Sequence, residues 1–116
     1  MSTNKLDKNF VEFVVEQMND AGEISYKYMF GGCAIYFEDK VIALICDNKL
    51  YVKPTEIGRS FIKYVCEESP YPGANPHFLI DDKIEDKKWL SRLIRITADE
   101  LLSKTRIENI IAKDLK

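Results

Sequence analysis

The residues of this chain that could do chemistry are few and poorly grouped. Cys33, His77 and Asp81 are the side-chain types of a thiol nucleophile, its base and an orienting acid. No local signature joins them, and one cysteine with one histidine occurs by chance in most sequences. Cys33 reads better as a small strand residue. His77, directly after Pro76, reads as a surface or hydrogen-bonded side chain at the start of a strand. Gly31-Gly32 suggests a phosphate cradle, but such a loop needs glycines followed by Lys-Ser/Thr at the opening of a helix. This pair runs straight into a strand, so the expectation is a bulge or bend that re-aims the sheet. Asp81, Asp82, Glu85 and Asp86 form an acidic run that could hold a cation. Acids also favour the first turn of a helix, where they oppose its dipole, and that reading carries more weight. One histidine and three scattered cysteines make no metal-ligand cluster. The expectation is no catalytic residue, no metal, no cofactor and no evident small-molecule substrate.

The loop Pro70–Pro76 has the best claim to recognition. Three prolines and a glycine hold Tyr71 in a nearly fixed backbone, which lowers the entropy cost of presenting it. The competing reading is a loop that packs over the core and sets the start of the next strand. Rigid loops more often serve structure, which favours the second reading.

The elements that would position these residues follow from periodicity. Leu6, Phe10, Phe13, Val14 and Met18 recur at helical spacing, so a first helix is expected over about residues 5–20, with Asn4 as its cap and Gly22 as its terminator. From Ile24 the pattern turns to strands at 24–30, 33–38, 41–46 and 49–53, joined by the two-residue turns Asp39-Lys40 and Asp47-Asn48. Thr55 can cap a helix running to about Glu67, with Gly58 costing it about 1 kcal/mol relative to Ala. A short strand is expected at 77–80. A long helix then starts at Asp81, Asp82 or Asp86 and runs through Leu102. Thr105 and Glu108 have capping-box spacing, which opens a last amphipathic helix carrying Ile107, Ile110, Ile111 and Leu115.

With those turns, Phe37 faces Ile42 and Cys33 faces Cys46, as reduced neighbours rather than a disulfide. One face of the meander then carries Ala34, Tyr36, Val41, Ala43, Ile45, Leu50 and Val52. The other carries Cys33, Ile35, Phe37, Ile42, Leu44, Cys46 and Tyr51, with Lys49 and Lys53 at its rim. Both faces are apolar, whereas a sheet covered on one side should show a polar second face. The candidate interaction surface is therefore Ile35, Phe37, Ile42, Leu44 and Tyr51 on the sheet, or Tyr71 on its loop. A two-fold homodimer is the simplest way to cover it. The competing account is that the C-terminal helix at 105–115 folds back over this face.

Size and charge bound the rest. The 116 residues suffice for one domain, 1–116, and 46% apolar with 31% charged residues is a globular balance. Net charge is −2, with Lys and Arg interleaved among acids, so the electrostatic contribution that drives DNA binding is missing. Lys87, Lys88, Arg92 and Arg95 come nearest to a basic patch, diluted by Glu85 and Asp86. Weak or no nucleic-acid binding is expected. No signal segment opens the chain and the longest apolar run is Val41–Cys46, so no membrane span is expected. An odd cysteine count points to reduced thiols in a cytoplasm.

Four stretches also carry a resemblance: Met29-Phe30-Gly31-Gly32 followed by Ile35-Tyr36-Phe37, the run Ala43–Thr55, the run Pro70–Asp82, and the Trp89–Thr97 helix. In order and spacing they resemble the N-terminal domain of the TfoX/Sxy competence regulators, over about Met29 to Leu102. The resemblance implies an α+β fold: a two-layer α/β domain with an antiparallel meander sheet and flanking helices, of the secretion-chaperone-like kind. It also implies a role in transcription regulation alongside a catabolite-activator-type factor. The family's long members carry a further C-terminal domain of helix-hairpin-helix character, which these 116 residues do not contain. The resemblance brings no catalytic residue. The function expected is a non-enzymatic protein-interaction or regulatory module whose partner is a protein, itself included, with direct nucleic-acid binding as the alternative.

Overall fold

The computed structural model describes residues 6–29 and 31–114. The first helix starts where a side chain can hold it. Asp7 is extended, its carboxylate accepts from the Asn9 N–H at 2.9 Å, and α1 runs Lys8–Met18. The cap is thus Asp7; Asn4 lies outside the described residues. Val11, Val14 and Met18 form the buried stripe, while Phe13 is 43% exposed, contrary to its expected inward place. A 3-10 turn, Asn19–Ala21, ends at Gly22.

Among the described residues six strands follow: β1 Ile24–Met29, β2 Gly32–Phe37, β3 Lys40–Cys46, β4 Lys49–Val52, β5 Glu67–Glu68 and β6 His77–Ile80. All pairings are antiparallel, in the order β1-β2-β3-β4-β6-β5. The first four make the expected meander. β6 then inserts between β4 and β5. The β3–β4 turn is Asp47-Asn48, with φ of 54° and 55°, the mirror-image turn whose twist matches a hairpin. It pairs Ile45 with Leu50 as expected.

The β2–β3 hairpin differs. Its turn is Glu38-Asp39, so Phe37 pairs with Lys40 rather than Ile42. Glu38, Asp39 and Lys40 are all polar, and such a run accommodates a two-residue turn in either position. The larger consequence comes from a bulge beside Ile35 and Tyr36: Tyr36 pairs with Val41, but Ile35 pairs with Ala43. Ile42 is left without a partner on β2, and every residue beyond it changes sides relative to β2. Cys33 therefore faces Ile45, and Cys46 faces Gly32; the two thiols are not a cross-strand pair.

All three helices lie on one face of the sheet. Its inner face carries Cys33, Ile35, Phe37, Ile42, Ala43, Ile45, Leu50, Val52, Phe78 and Ile80, packed in one cluster with α1 and α3 (Lys87–Asp114). α2, Glu56–Ile62, is capped by Thr55, whose hydroxyl accepts from the Gly58 N–H at 2.9 Å. A Cβ at Gly58 would stand 2.6 Å from that hydroxyl and 3.4 Å from Phe78, so glycine lets α2 sit down on the core. The helix ends at Ile62, with Lys63 at φ 73°, about five residues sooner than the sequence pattern implies. The residues beyond it form β5, whose two glutamates gave no hydrophobic signal.

α3 is one helix of 28 residues where two were expected. Asp86 caps it, accepting from the Trp89 N–H at 3.1 Å. No glycine or proline lies between Leu101 and Asp114, so the capping-box pair at Thr105 and Glu108 does not break the backbone. The C-terminal stretch thus prolongs α3 instead of folding back across the sheet. The expected inward stripe at Ile110, Ile111 and Leu115 lies outside the described side chains. Among the described residues no helix is long and apolar enough to cross a membrane.

Candidate functional site

The outer face of the sheet is assembled by the same register. Ala34, Leu44, Tyr51 and Leu79 stand in one row across β2, β3, β4 and β6, on the side opposite the helices. Ala34 is 2% and Tyr51 4% exposed, so this face is not open along its length. The Tyr51 hydroxyl donates to the Glu68 carboxylate at 3.3 Å, and burial, then that carboxylate, pushes the phenol's pKa up. Lys53 is half-buried, and burial followed by the Lys40 charge pushes its ammonium pKa down.

This arrangement redistributes the expected interaction surface. Ile35, Phe37 and Ile42 belong to the helix-covered core, at 0%, 5% and 0% exposure. Leu44 and Tyr51 lie on the outer face, and Tyr71, 55% exposed, stands on the loop beside it. The physical reason is the bulge: it put Leu44 and Tyr51 opposite in parity to Ile35, so the five side chains never share a surface.

What the outer face does form is a groove of about 700 Å³. Met29, Gly31 and Gly32 from the β1–β2 turn make one wall. Leu44, Cys46 and Asp47 from the end of β3 make the floor, and Pro70, Tyr71 and Pro72 close the far side, with Cys33 at the edge. Gly31, φ 77°, turns the chain, and a Cβ at Gly32 would meet the Ile45 carbonyl at 2.9 Å. Glycine at both positions lets β2 start against β3 while leaving the groove wall low. Three stretches distant in sequence thus meet in one place. Sequence reading singled out each of them but did not join them, because no periodicity relates a turn at 29–32 to a loop at 70–72.

The groove's chemistry is sparse. Among the described residues Asp47 is its one charged lining residue, and no Lys, Arg or His lines it. Burial, then the neighbouring Asp47 charge, raises the Cys46 thiol pKa. Burial likewise raises that of Cys33, partly offset by a hydrogen bond from the Lys27 backbone. Both thiols are held protonated, the opposite of what a nucleophilic cysteine requires. His77 is buried on β6, and its Nδ1–H donates to the Asn75 carbonyl at 2.8 Å. Three strand spacings, about 14 Å, separate β6 from Cys33 on β2. The thiol, imidazole and acid considered from sequence are not brought together. Of the acidic run, Asp86 caps α3, while Asp81 precedes the 3-10 turn Asp82–Glu85 without a side-chain capping bond. Among the described residues no three His, Cys, Asp or Glu side chains cluster to hold a metal.

The basic residues lie across the molecule, on α3. Lys88, Arg92 and Arg95 line a shallow depression of about 260 Å³ together with Asp20. Arg95 is engaged already: it donates to the Ala21 carbonyl at 3.2 Å, pairs with Asp99 at 3.5 Å and lies over the Phe37 ring.

The groove walls, the whole sheet and α3 as far as Leu101 fall within residues 16–101, which match the family model of the TfoX N-terminal domain. An uncharacterized 12.7 kDa protein in the trpE 5′ region of Spirochaeta aurantia is 36% identical over 95 residues, covering 82% of this chain and 83% of that protein. A family match over most of the chain agrees with the order of elements described above. This chain belongs to the TfoX N-terminal domain family.

Proposed function

We propose that this chain is a non-enzymatic regulatory module that binds another protein through the outer-face groove. One observation carries the reading. Three separated stretches converge on a groove whose lining, among the described residues, is mostly apolar with a single carboxylate, Asp47, and so suits apolar side chains rather than proton transfer. Membership of the TfoX N-terminal domain family supports a regulatory setting for it. Leu44 forms the floor and Tyr71 is the aromatic side chain placed to close over a bound segment.

Direct nucleic-acid binding is the competing reading. It would rest on Lys88, Arg92 and Arg95, but Asp20 and Asp99 sit among them and Arg95 is tied to its own fold. Capture from the native host with wild-type, Leu44→Asp and Tyr71→Ala baits tests the proposal. A protein retained by the wild type and released by both folded variants is the expected result. Loss of the groove dependence overturns it, as does retention on duplex DNA that falls steeply with salt and is abolished by Lys88→Glu.

A further inference from the structure

The two edges of the sheet are built differently. β5 closes one edge with two residues, both glutamates, and Glu67 is held by Arg59 at 2.8 Å. Short length and charge are the ordinary means of blunting an edge. β1 closes the other with six residues, Ile-Ser-Tyr-Lys-Tyr-Met, without proline or bulge and with one charge, Lys27. Tyr26, Tyr28 and Met29 are 38%, 43% and 40% exposed, and the two tyrosine rings pack edge to face at 5.6 Å. β2 is the sole sheet neighbour of β1 among the described residues.

Glu38 N–H donates to the Glu23 carbonyl at 3.0 Å across the β1–β2 pair. Alternation along an antiparallel ladder then turns Ser25, Lys27 and Met29 toward β2, and leaves the N–H and C=O groups of Ile24, Tyr26 and Tyr28 pointing away from the sheet. From this we infer that two copies of the chain pair β1 with β1 about a two-fold axis through Tyr26, extending both sheets into one.

The register follows from parity and charge. Side chains keep to their faces only if like-parity residues pair, so the axis must pass through a residue rather than between two. An axis through Lys27 sets Lys27 against its own copy, a like-charge opposition. An axis through Ser25 leaves three ladder pairs within the strand, Ile24 to Tyr26. An axis through Tyr26 makes five, pairing Ile24 with Tyr28, Ser25 with Lys27 and Tyr26 with itself. It engages every outward backbone group of Ile24, Tyr26 and Tyr28 and opposes no like charges. The occupant is therefore a second copy, because the strand is complementary to itself. The paired residues 24–28 do not line the groove, which β1 meets only at Met29, and the inference does not rest on the function proposed for it.

Sedimentation and disulfide trapping test the pairing. The wild type is expected to approach the mass of two chains as concentration rises. Tyr26→Asp, which places two carboxylates at the axis, should hold it at one chain with unchanged circular dichroism. In a Cys66→Ser background, Tyr26→Cys should link two copies on mild oxidation and Lys27→Cys should not, since a self-paired position brings the Cα atoms to about 5.5 Å, within disulfide reach. Leu44→Asp should leave the two-chain mass intact, which separates this inference from the groove. A one-chain mass at every concentration overturns it, and so does a dimer in which Lys27→Cys links as readily as Tyr26→Cys.

Discussion

The inner and outer faces of this sheet use similar residue types to different ends. On the inner face Phe78, Ile35, Ile45, Leu50 and Val52 are fully buried against α1, α2 and α3, and the helices cover them continuously. On the outer face Leu44, Cys46 and Leu79 are only half-buried, and their cover is a proline-rich loop and the side chains of flanking strands. A helix presents a dense row of side chains to a sheet, whereas a loop touches it at a few points. The first therefore makes a core, and the second leaves a groove. Apolar sequence on both faces means burial beneath helices on one and a groove on the other.

The sharpest way to break that contrast is to remove a large side chain from each face. Phe78→Ala, with a fully buried ring, should cost about 3–5 kcal/mol in urea unfolding. A loss below about 1 kcal/mol would mean the inner face is not the core. Gly58→Ala should cost about 1–3 kcal/mol despite its better helix propensity, because the added methyl meets the Thr55 hydroxyl and Phe78. A stabilised variant would show that α2 can lift off the inner face freely.

A smaller effect concerns how the helices on that face are joined. The Glu100 carboxylate accepts from the N–H groups of Glu56 and Ile57, both at 3.1 Å, and pairs with Lys104 at 3.4 Å. Burial opposes its ionisation, but these hydrogen bonds and the ammonium outweigh it and hold its pKa below the usual carboxylate value. A depressed folded-state pKa adds stability above the unfolded-state value, and that contribution is lost as pH falls through the folded value. Wild type should therefore lose about 1 kcal/mol more than Glu100→Gln on acidification below about pH 4.3, read from Tm against pH. Parallel pH profiles would remove Glu100 as the link between α3 and α2. The smallest effect belongs to the outer face: Tyr71→Ala should change stability by less than about 0.5 kcal/mol while weakening capture of a partner. A large stability loss there would make the loop part of the core after all.

Local signals were legible wherever a residue satisfies its own neighbourhood. Asp47-Asn48 adopts the positive-φ turn that its residue types favour, and Thr55 caps α2 through a bond three residues away. The order of the first helix and the four-strand meander could be read in the same way. The family resemblance rested on stretches of this kind. What depended on distant partners could not be read. The bulge beside Ile35 has no residue signature of its own, yet it alone decides that Leu44 and Tyr51 face away from Ile35 and Ile42. Glu67-Glu68 becomes a strand only because β6 offers it a ladder. Gly58 reads as a helix defect until Phe78 and Leu93 are set against it. The sequence by itself determined most of the helices, strands and turns whose signals lie within a few residues, such as α1, the Asp47-Asn48 turn and the start of α2. Tertiary structure decided which face each strand residue occupies and where residues 29–32, 44–47 and 70–72 meet, because a shift of one position in strand pairing transfers side chains from one side of a sheet to the other.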